Sequence, residues 1–141
     1  MIDVSKLVCV DFETTGLNAW EPDFRVISIA ATQFLGNPSD EATGSFFIQG
    51  EEKIAEFLTA LGDRPLLAHN VGFELLVLKC RFPNIKVNLK YDSMRLVQLF
   101  GKTTEFDKSY SLDASLTRIR PELVGHKDRF YVHLREKVQE H

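Results

Sequence analysis

The sequence has few cysteines, no long apolar run and no leader segment of a usual kind. Its two cysteines, Cys9 and Cys80, are not in a metal-binding spacing and are predicted to be reduced residues of the core. No stretch approaches the roughly 18 apolar residues that cross a bilayer, and no arginine-rich or apolar leader is visible. We therefore expect a soluble, cytoplasmic protein without a membrane partner.

The net charge of −3 gives no general argument for nucleic-acid binding, but the charges are unevenly distributed. Residues 1–78 carry 4 basic and 12 acidic side chains. An acidic pocket beside a basic surface would suit a phosphate backbone that is held at one and cut at the other. The alternative is an ordinary solvated surface. Residues 79–102, here called the basic flank, carry one acid, Asp92, and the cations Lys79, Arg81, Lys86, Lys90, Arg95 and Lys102.

The composition is that of a globular domain. The 141 residues are 44% hydrophobic and 26% charged, and eleven phenylalanines supply large core side chains. A chain of this length buries roughly two-thirds of its unfolded surface. No repeat, linker or low-complexity segment interrupts it, so residues 1–141 are interpreted as one domain.

Hydrophobic periodicity and turn residues predict an α/β fold, a mixed sheet flanked by helices. Three strands, at about 6–13, 25–35 and 43–49, are close enough in sequence to form an antiparallel meander. Alternating helices and strands in the second half imply parallel strands beside it. The later elements predicted are a helix ending at Gly62, a strand at 65–68, a helix from Asn70 to before Pro83, a strand at 87–91, a helix capped by Asp92 or Ser93, a helix over 112–119 capped by Ser111, and a last helix over 128–141.

The first strand ends in two carboxylates, Asp11 and Glu13. Because alternate residues of a strand point to the same face, their Cα atoms are roughly 6.5–7 Å apart on that face. Two such carboxylates repel each other unless a cation lies between them. A pair of Mg²⁺ or Mn²⁺ ions about 3.5–4 Å apart fits this gap and prefers oxygen ligands. The alternative is a strand whose last residues have simply reached solvent.

The segment that follows the two carboxylates makes the motif specific. With it, residues 7–17 resemble the first motif of the DEDD superfamily of 3′→5′ exonucleases, which remove nucleotides one at a time from a 3′ end. The resemblance implies an RNase H-like fold and two divalent ions held in part by Asp11 and Glu13. It also assigns four residues to the terminal nucleotide, the last of them packing on the base: Thr14, Thr15, Gly16 and Leu17.

A second motif follows the fourth predicted strand. Residues 67–74 resemble the second exonuclease motif, in which an acid comes four positions after an asparagine. The usual acid is Asp, and Glu74 can still present a carboxylate to a metal. The resemblance places Asn70 at the substrate sugar or phosphate as well as at the helix cap, and makes Phe73 a candidate for base stacking. The alternatives are that Glu74 only complements the helix dipole and that Phe73 packs in the core. His69 is expected to pack or hydrogen-bond at the strand end rather than act as a base.

Two weaker resemblances follow. Residues 91–94 resemble a short segment that these exonucleases have at a later strand end. The acid of that segment, here Asp92, is generally not a metal ligand, so Asp92 is interpreted mainly as a helix cap. Residues 111–116 resemble a short segment of the proofreading exonuclease domains of family A DNA polymerases. The bacteriophage members are most similar, because their second motif often has the pattern of residues 68–74. In all, the resemblance covers about residues 6–118.

The third motif of the superfamily, Tyr-x3-Asp or His-x4-Asp, is not found. No acid after residue 80 has a tyrosine four positions or a histidine five positions before it. Asp128 is the first candidate for the missing catalytic acid, ahead of His126 and Glu136. Either the native polypeptide is longer and supplies the motif, or the domain has diverged and its site is incomplete.

These motifs together predict a metal-dependent 3′→5′ exonuclease acting on single-stranded DNA 3′ ends, as a proofreading domain or part of one. Asp11, Glu13 and Glu74 would hold two divalent ions, Mg²⁺ or Mn²⁺. A DNA polymerase domain, in the same or another chain, is the expected protein partner. The alternative is a catalytically incomplete RNase H-like module that binds nucleic acid or a protein.

Overall fold

The computed structural model describes residues 3–34, 43–101, 111–119 and 121. The chain divides into two compact units, Met1–Ser93 and Met94–His141, and the expectation of a single domain stays a prediction. A 3-10 turn, Val4–Lys6, precedes the first strand. The strands are β1 (Val8–Thr14), β2 (Val26–Phe34), β3 (Thr43–Gln49), β4 (Pro65–Ala68) and β5 (Asn88–Asp92); the helices are α1 (Glu51–Leu61), α2 (Val71–Arg81), α3 (Ser93–Gly101) and α4 (Leu112–Ile119).

The first unit contains a mixed sheet with the strand order β3-β2-β1-β4-β5. β1, β2 and β3 form the predicted antiparallel meander. β4 and β5 are added in parallel on the other side of β1. Helix α1 connects β3 to β4 and α2 connects β4 to β5, as expected of parallel strands. The predicted fold class is therefore confirmed.

Strand β1 lies in the middle of the sheet and alternates between two environments. Val8, Val10 and Phe12 are buried in the core, whereas Asp11 between them is exposed. The ring of Phe12 stacks on that of Phe82, just after α2, with 6.3 Å between ring centroids. The strand that carries the predicted acids is thus fixed by the buried apolar residues of its other face.

Helix α1 buries the apolar stripe that the sequence predicts. Ile54, Leu58 and Leu61 are nearly inaccessible to solvent. Each buried side chain of this size stabilises the fold by about 1.5–3 kcal/mol. The helix ends before Gly62, whose positive φ of 58° suits glycine, and the Gly62 amide donates to the Thr59 carbonyl at 3.2 Å.

A salt bridge joins α1 to α2. The guanidinium of Arg81 donates to both carboxylate oxygens of Glu51, at 3.2 and 2.7 Å. Glu51 also accepts the Val26 amide of β2 at 3.0 Å. Burial raises the pKa of Glu51, but the hydrogen bonds from Arg81 and Val26 outweigh it and leave the pKa below its usual value. One carboxylate therefore connects two helices to the sheet.

In the second unit, α4 has the predicted bounds and the predicted cap. The Ser111 hydroxyl accepts the Ala114 amide at 3.2 Å, and the Ser111 carbonyl accepts the Ser115 amide at 2.9 Å. The helix ends at Ile119, two residues before Pro121. The helix predicted over 128–141 lies outside the described residues. Within the described part of the chain, no helix is long and apolar enough to cross a membrane.

Candidate active site

The carboxyl ends of β1, β4 and β5 lie at one edge of the sheet because the three strands are parallel. β1 pairs with β4 through Cys9 and Leu67, and β4 pairs with β5 through Ala68 and Asp92. The N-terminus of α2, which follows β4 after two residues, is at the same edge. In open α/β sheets, ligands bind outside this edge.

The acids of β1 occupy the face opposite the core. Asp11 pairs across the sheet with Ala30 and Glu13 with Ser28, so both carboxylates leave β1 on the same side. Asp11 is exposed and Glu13 is half-buried. The register of β1 against β2 shifts between Glu13 and Thr14, and such bulges bend a strand and redirect its last side chains.

Glu74, in the first turn of α2, is buried although it is acidic. It is 3% exposed, and its Oε2 atom has no hydrogen-bond partner among the described residues. Burial raises the pKa of Glu74, and the negative charges of Asp11 and Asp92 raise it further, to about 7. A buried carboxylate with an unpartnered oxygen, next to other carboxylates, is a group that a cation would stabilise.

Asp92 caps α2, a role that the sequence did not assign to it. Its carboxylate accepts the amides of Asn70 at 2.9 Å and Val71 at 3.3 Å. The prediction that the Asn70 side chain caps this helix is wrong: Asn70 stands at the cap position, but its side chain makes no cap hydrogen bond. Asn70 has a left-handed backbone (φ 69°, ψ 63°) instead of the extended one of an ordinary N-cap, and Asp92 supplies the acceptor.

His69 links the ends of β4 and α3. Its Nδ1 atom is 2.9 Å from the Ser93 hydroxyl, which also donates to the Ala68 carbonyl at 3.4 Å. The predicted hydrogen-bonding role at the strand end is therefore confirmed. Phe73 is half-buried against the core, so packing is the role visible for it here.

The segment from Thr14 to Leu17 is held by hydrogen bonds at the end of β1. The Thr14 hydroxyl donates to the Gly16 carbonyl at 2.6 Å. The Thr15 amide donates to the Arg25 carbonyl at 3.0 Å, and the Thr15 hydroxyl accepts the Arg25 amide at 2.9 Å. Leu17, the last residue of the segment, is 85% exposed. These hydrogen bonds fix the course of the backbone at the end of β1.

The basic flank is only partly available to a phosphate backbone. Arg81 is engaged by Glu51, and the Lys90 ammonium lies 5.5 Å from the centre of the Tyr91 ring. Lys79, Lys86 and Lys90 are exposed. Lys102 lies outside the described residues.

Two features of the structure were not found from the sequence. The proximity of Asp92 to Glu74 depends on the packing of β5 beside β4, and no local pattern announces it. The exposure of Trp20 (66%) was also missed, because the polar turn residues around it predict a loop without saying which side chain leaves it.

The donor set is chemically suited to hard divalent cations, since Asp11, Glu13 and Glu74 offer oxygen ligands. Among the described residues, however, no three Asp, Glu, His or Cys side chains are gathered closely enough to form a metal site. The ligand assignment to Asp11, Glu13 and Glu74 stays a prediction. Asp128, His126 and Glu136 lie outside the described residues.

Solved structures of NrnC from Brucella melitensis have a similar fold. NrnC with bound Mg²⁺ matches with a TM-score of 0.54 and 19% identity, over 86% of this chain and 57% of NrnC. NrnC bound to pGG matches with a TM-score of 0.56 and 19% identity, over 84% of this chain and 55% of NrnC. This chain thus spans a little more than half of the NrnC chain. No protein-family model and no curated protein matches it. The described sheet and this similarity together show that the chain has an RNase H-like α/β fold.

Proposed function

We propose that this chain is a metal-dependent nuclease whose active site is the acidic edge formed by Asp11, Glu13 and Glu74. The observation that carries the proposal is the Glu74 carboxylate. It is buried, one oxygen has no partner among the described residues, and the charges of Asp11 and Asp92 act on it. A purely structural glutamate would be paired or solvated, because an unpaired buried polar group costs free energy.

The bound ions would be Mg²⁺ or Mn²⁺, held by carboxylate oxygens of Asp11, Glu13 and Glu74. Such ions supply an acidified water and neutralise charge on the phosphate. A cation held there would favour the ionised form of Glu74, whose pKa is raised by burial and by the charges of Asp11 and Asp92. Asp11, exposed at the edge, leaves one side of the site open to substrate.

The reaction is hydrolysis of the terminal phosphodiester at a 3′ end. Water forms a new bond to phosphorus and loses a proton, while the bond from phosphorus to the 3′ oxygen breaks and that oxygen gains a proton. The products are a nucleotide and a strand shortened by one residue. Hydrogen bonds hold the backbone of Thr14 to Leu17 at the end of β1, and we expect it to contact the terminal nucleotide. The basic flank offers Lys79, Lys86 and Lys90 to the strand further along.

The solved structures support this proposal by what they hold. One NrnC structure contains Mg²⁺ and another contains the oligonucleotide pGG. Both groups are ones that an enzyme of the predicted superfamily would bind. The narrower predictions, single-stranded DNA as substrate and a proofreading role beside a polymerase, rest on the motif resemblance and stay predictions.

A second candidate is a non-catalytic module that binds nucleic acid or a protein. It is favoured by one observation: no three-ligand metal group exists among the described residues. A module of this kind would keep the fold and the exposed lysines without degrading a strand.

The test uses the full chain and an oligonucleotide labelled at its 5′ end. With Mg²⁺ or Mn²⁺, the proposal predicts a ladder of products shortened one nucleotide at a time from the 3′ end. A second oligonucleotide with a blocked 3′ end should remain intact, and EDTA should stop the reaction. Single-stranded DNA and RNA of the same sequence, measured in parallel, give the substrate preference.

Two matched variants distinguish the activity of this protein from that of a contaminating nuclease. Glu13→Gln should abolish the ladder, whereas Glu56→Gln, an exposed glutamate of α1, should not change it. Metal titration by calorimetry separates the two candidates further. No ladder together with no metal binding favours the module, and a ladder that survives Glu13→Gln contradicts the assigned site.

A further inference from the structure

The loop between β1 and β2 presents two large apolar side chains to solvent. Leu17 is 85% exposed and Trp20 is 66% exposed. In the same loop Ala19 and Phe24 are 4% and 2% exposed. The loop is thus anchored by Ala19 and Phe24, and Trp20 adds little to its packing. Tryptophan is highly buried on average, so a mostly exposed one calls for an explanation.

The backbone around Trp20 is ordered without help from the indole ring. The loop is closed at its base by the hydrogen bonds between Thr15 and Arg25. Residues 18–24 form two successive turns with backbone hydrogen bonds of 3.2 and 3.1 Å. The Trp20 amide donates to the Asn18 side chain at 3.3 Å. Trp20 is therefore held at a fixed place, which lowers the entropy cost of binding something to it.

The loop begins next to the acidic edge. Thr15 is two residues after Glu13, and a chain spans at most about 3.5 Å per residue, so their Cα atoms are within about 7 Å. A strand whose last phosphate lies at the acids would therefore have its terminal nucleotides beside the first residues of this loop.

The charges of the loop favour a neutral aromatic ligand over an anion. Glu21 and Asp23 are exposed and acidic. The one cation of the loop, Arg25, is exposed, but its guanidinium donates to the carbonyls of Pro22 at 2.9 Å and Phe24 at 2.8 Å. The loop is therefore suited to contact a strand through the flat face of a nucleobase, which can stack on the indole, rather than through a phosphate.

We propose that Trp20 is a substrate-binding residue that stacks on a nucleobase of the strand whose 3′ end lies at Asp11 and Glu13. This inference rests on the proposed function and adds to it a contact that the motif resemblance does not assign. Because every base has a π face, the contact is tolerant of sequence. Trp20 binds the base and takes no part in the bond-breaking step.

Trp20 is the one tryptophan of the chain, so its fluorescence reports on the contact directly. The probe is a short single-stranded oligonucleotide whose terminal linkage is a phosphorothioate, which resists hydrolysis, in the presence of Mg²⁺. Titration into the wild-type protein should quench the fluorescence with saturation. DNA and RNA versions of one sequence show whether the contact depends on the sugar.

Affinity for the same oligonucleotide, labelled with a dye at its 5′ end, gives the second readout. Trp20→Ala should weaken binding by about 5- to 150-fold, the usual effect of losing one base–aromatic stack. Trp20→Phe should keep most of the affinity, because a ring remains. Leu75→Ala removes a side chain on α2 that is 49% exposed and should bind like the wild type. On hydrolysable substrate, Trp20→Ala should raise KM with little change in kcat.

Oligonucleotides lacking one base identify the stacked position. Removing that base should weaken binding to the wild type but not to Trp20→Ala, which is the coupling expected of a direct contact. If Trp20→Ala does not fold, two measurements still test the stacking role. They are the fluorescence quenching of the wild type and the affinity of Trp20→Phe for the oligonucleotides that lack one base.

The stacking role is overturned if the oligonucleotide binds to saturation without changing the fluorescence. It is also overturned if the wild type and Trp20→Ala bind with equal affinity, or if the wild type does not bind the oligonucleotide. A wild type that degrades 3′ ends but shows neither effect leaves the nuclease proposal standing. Quenching and weakened Trp20→Ala binding without degradation leave the stacking role standing and contradict the nuclease.

Discussion

The carboxylate of Asp92, the last residue of β5, accepts a hydrogen bond from the amide of Asn70 at 2.9 Å. It also accepts the Val71 amide at 3.3 Å, so one strand end fixes the start of α2. Glu74 lies in the first turn of that helix, and the charge of Asp92 contributes to its raised pKa. Asp92 therefore acts on Glu74 in two ways: it holds the helix that carries Glu74, and it makes Glu74 harder to ionise.

Asp92→Ala should destabilise the protein by about 1 kcal/mol, the usual cost of removing a helix cap. Asp92→Asn should cost less, since an amide oxygen can still accept one of the two amides. Thermal or urea unfolding of the metal-free protein measures both. The prediction is contradicted if both the alanine and the asparagine variant are as stable as the wild type.

Asp92→Asn should also lower the pKa of Glu74, because it removes one of the two negative charges that raise it. The change is followed by NMR titration of the Glu74 side-chain carboxyl in the metal-free protein. Asp63→Asn, an exposed aspartate just after α1, is the matched control and should leave the titration unchanged. A Glu74 titration that is the same in wild type and Asp92→Asn would mean that the two carboxylates do not interact.

Glu74→Gln should stabilise the metal-free protein above about pH 7. The usual pKa of this glutamate is 4.5, and in the folded state it is about 7. Between these values the folded state keeps a proton that the unfolded state has released, so the free energy of unfolding of the wild type falls as pH rises. The full loss is about 3 kcal/mol, reached above about pH 7, and below about pH 4.5 it is absent.

Urea unfolding at pH 5 and pH 8 in EDTA tests this dependence. The advantage of Glu74→Gln over the wild type should grow with pH, whereas Glu56→Gln should show no such growth because Glu56 is exposed. If the free energy of unfolding changed with pH in the same way for the wild type and Glu74→Gln, the pKa of Glu74 would not be raised in the folded state.

Local signals predicted most of the sheet and the helices. β3, β4 and α4 have the predicted bounds, and β5 begins and ends one residue later than predicted. These elements are short apolar segments between glycines, prolines and capping residues, and such signals act over a few residues. The position of Asp11 on the face opposite Phe12 follows in the same way from the period of a strand.

The parts of the site that depend on packing could not be predicted. Glu74 was identified as an acid in the first turn of a helix, but its burial depends on what packs around that turn. The cap of α2 comes from Asp92, 22 positions from Asn70, so the capping prediction failed at Asn70. A side chain that bonds to a distant element leaves no local trace in the sequence.

Replacing both acids of β1 in turn tests the catalytic assignment without unfolding the protein. Asp11→Asn and Glu13→Gln should each abolish metal-dependent degradation, because an amide is a far weaker ligand than a carboxylate. The metal-free Asp11→Asn protein should be at least as stable as the wild type, since Asp11 opposes the ionisation of Glu74. Circular dichroism and thermal unfolding check the fold. Near-wild-type activity in both variants would contradict the assignment of Asp11 and Glu13 as metal ligands.

Glu74→Asp should retain substantial activity, whereas Glu74→Gln should lose most of it. The aspartate keeps the charge that a metal ligand needs and is the usual residue at this position of the second exonuclease motif. Its shorter side chain moves the carboxylate by one methylene, so a moderate loss is expected. Rates with 3′-ended oligonucleotide at saturating Mg²⁺ compare the three proteins. Equal rates in all three proteins would mean that Glu74 is not a metal ligand.

The last prediction concerns the acid that the sequence motifs do not supply. If the native polypeptide is longer, the 141 residues should bind metal weakly and degrade a strand slowly, because one ligand and the group that orients the water are missing. Adding the native downstream segment should then raise the rate by about 10²-fold or more, the usual contribution of one positioned general base. If the 141 residues are fully active on their own, one of Asp128, His126 and Glu136 must complete the site. Asp128→Asn, His126→Gln and Glu136→Gln, measured separately, identify it by the loss of activity. Full activity in all three would mean that the third side of the site has been assigned to the wrong residues.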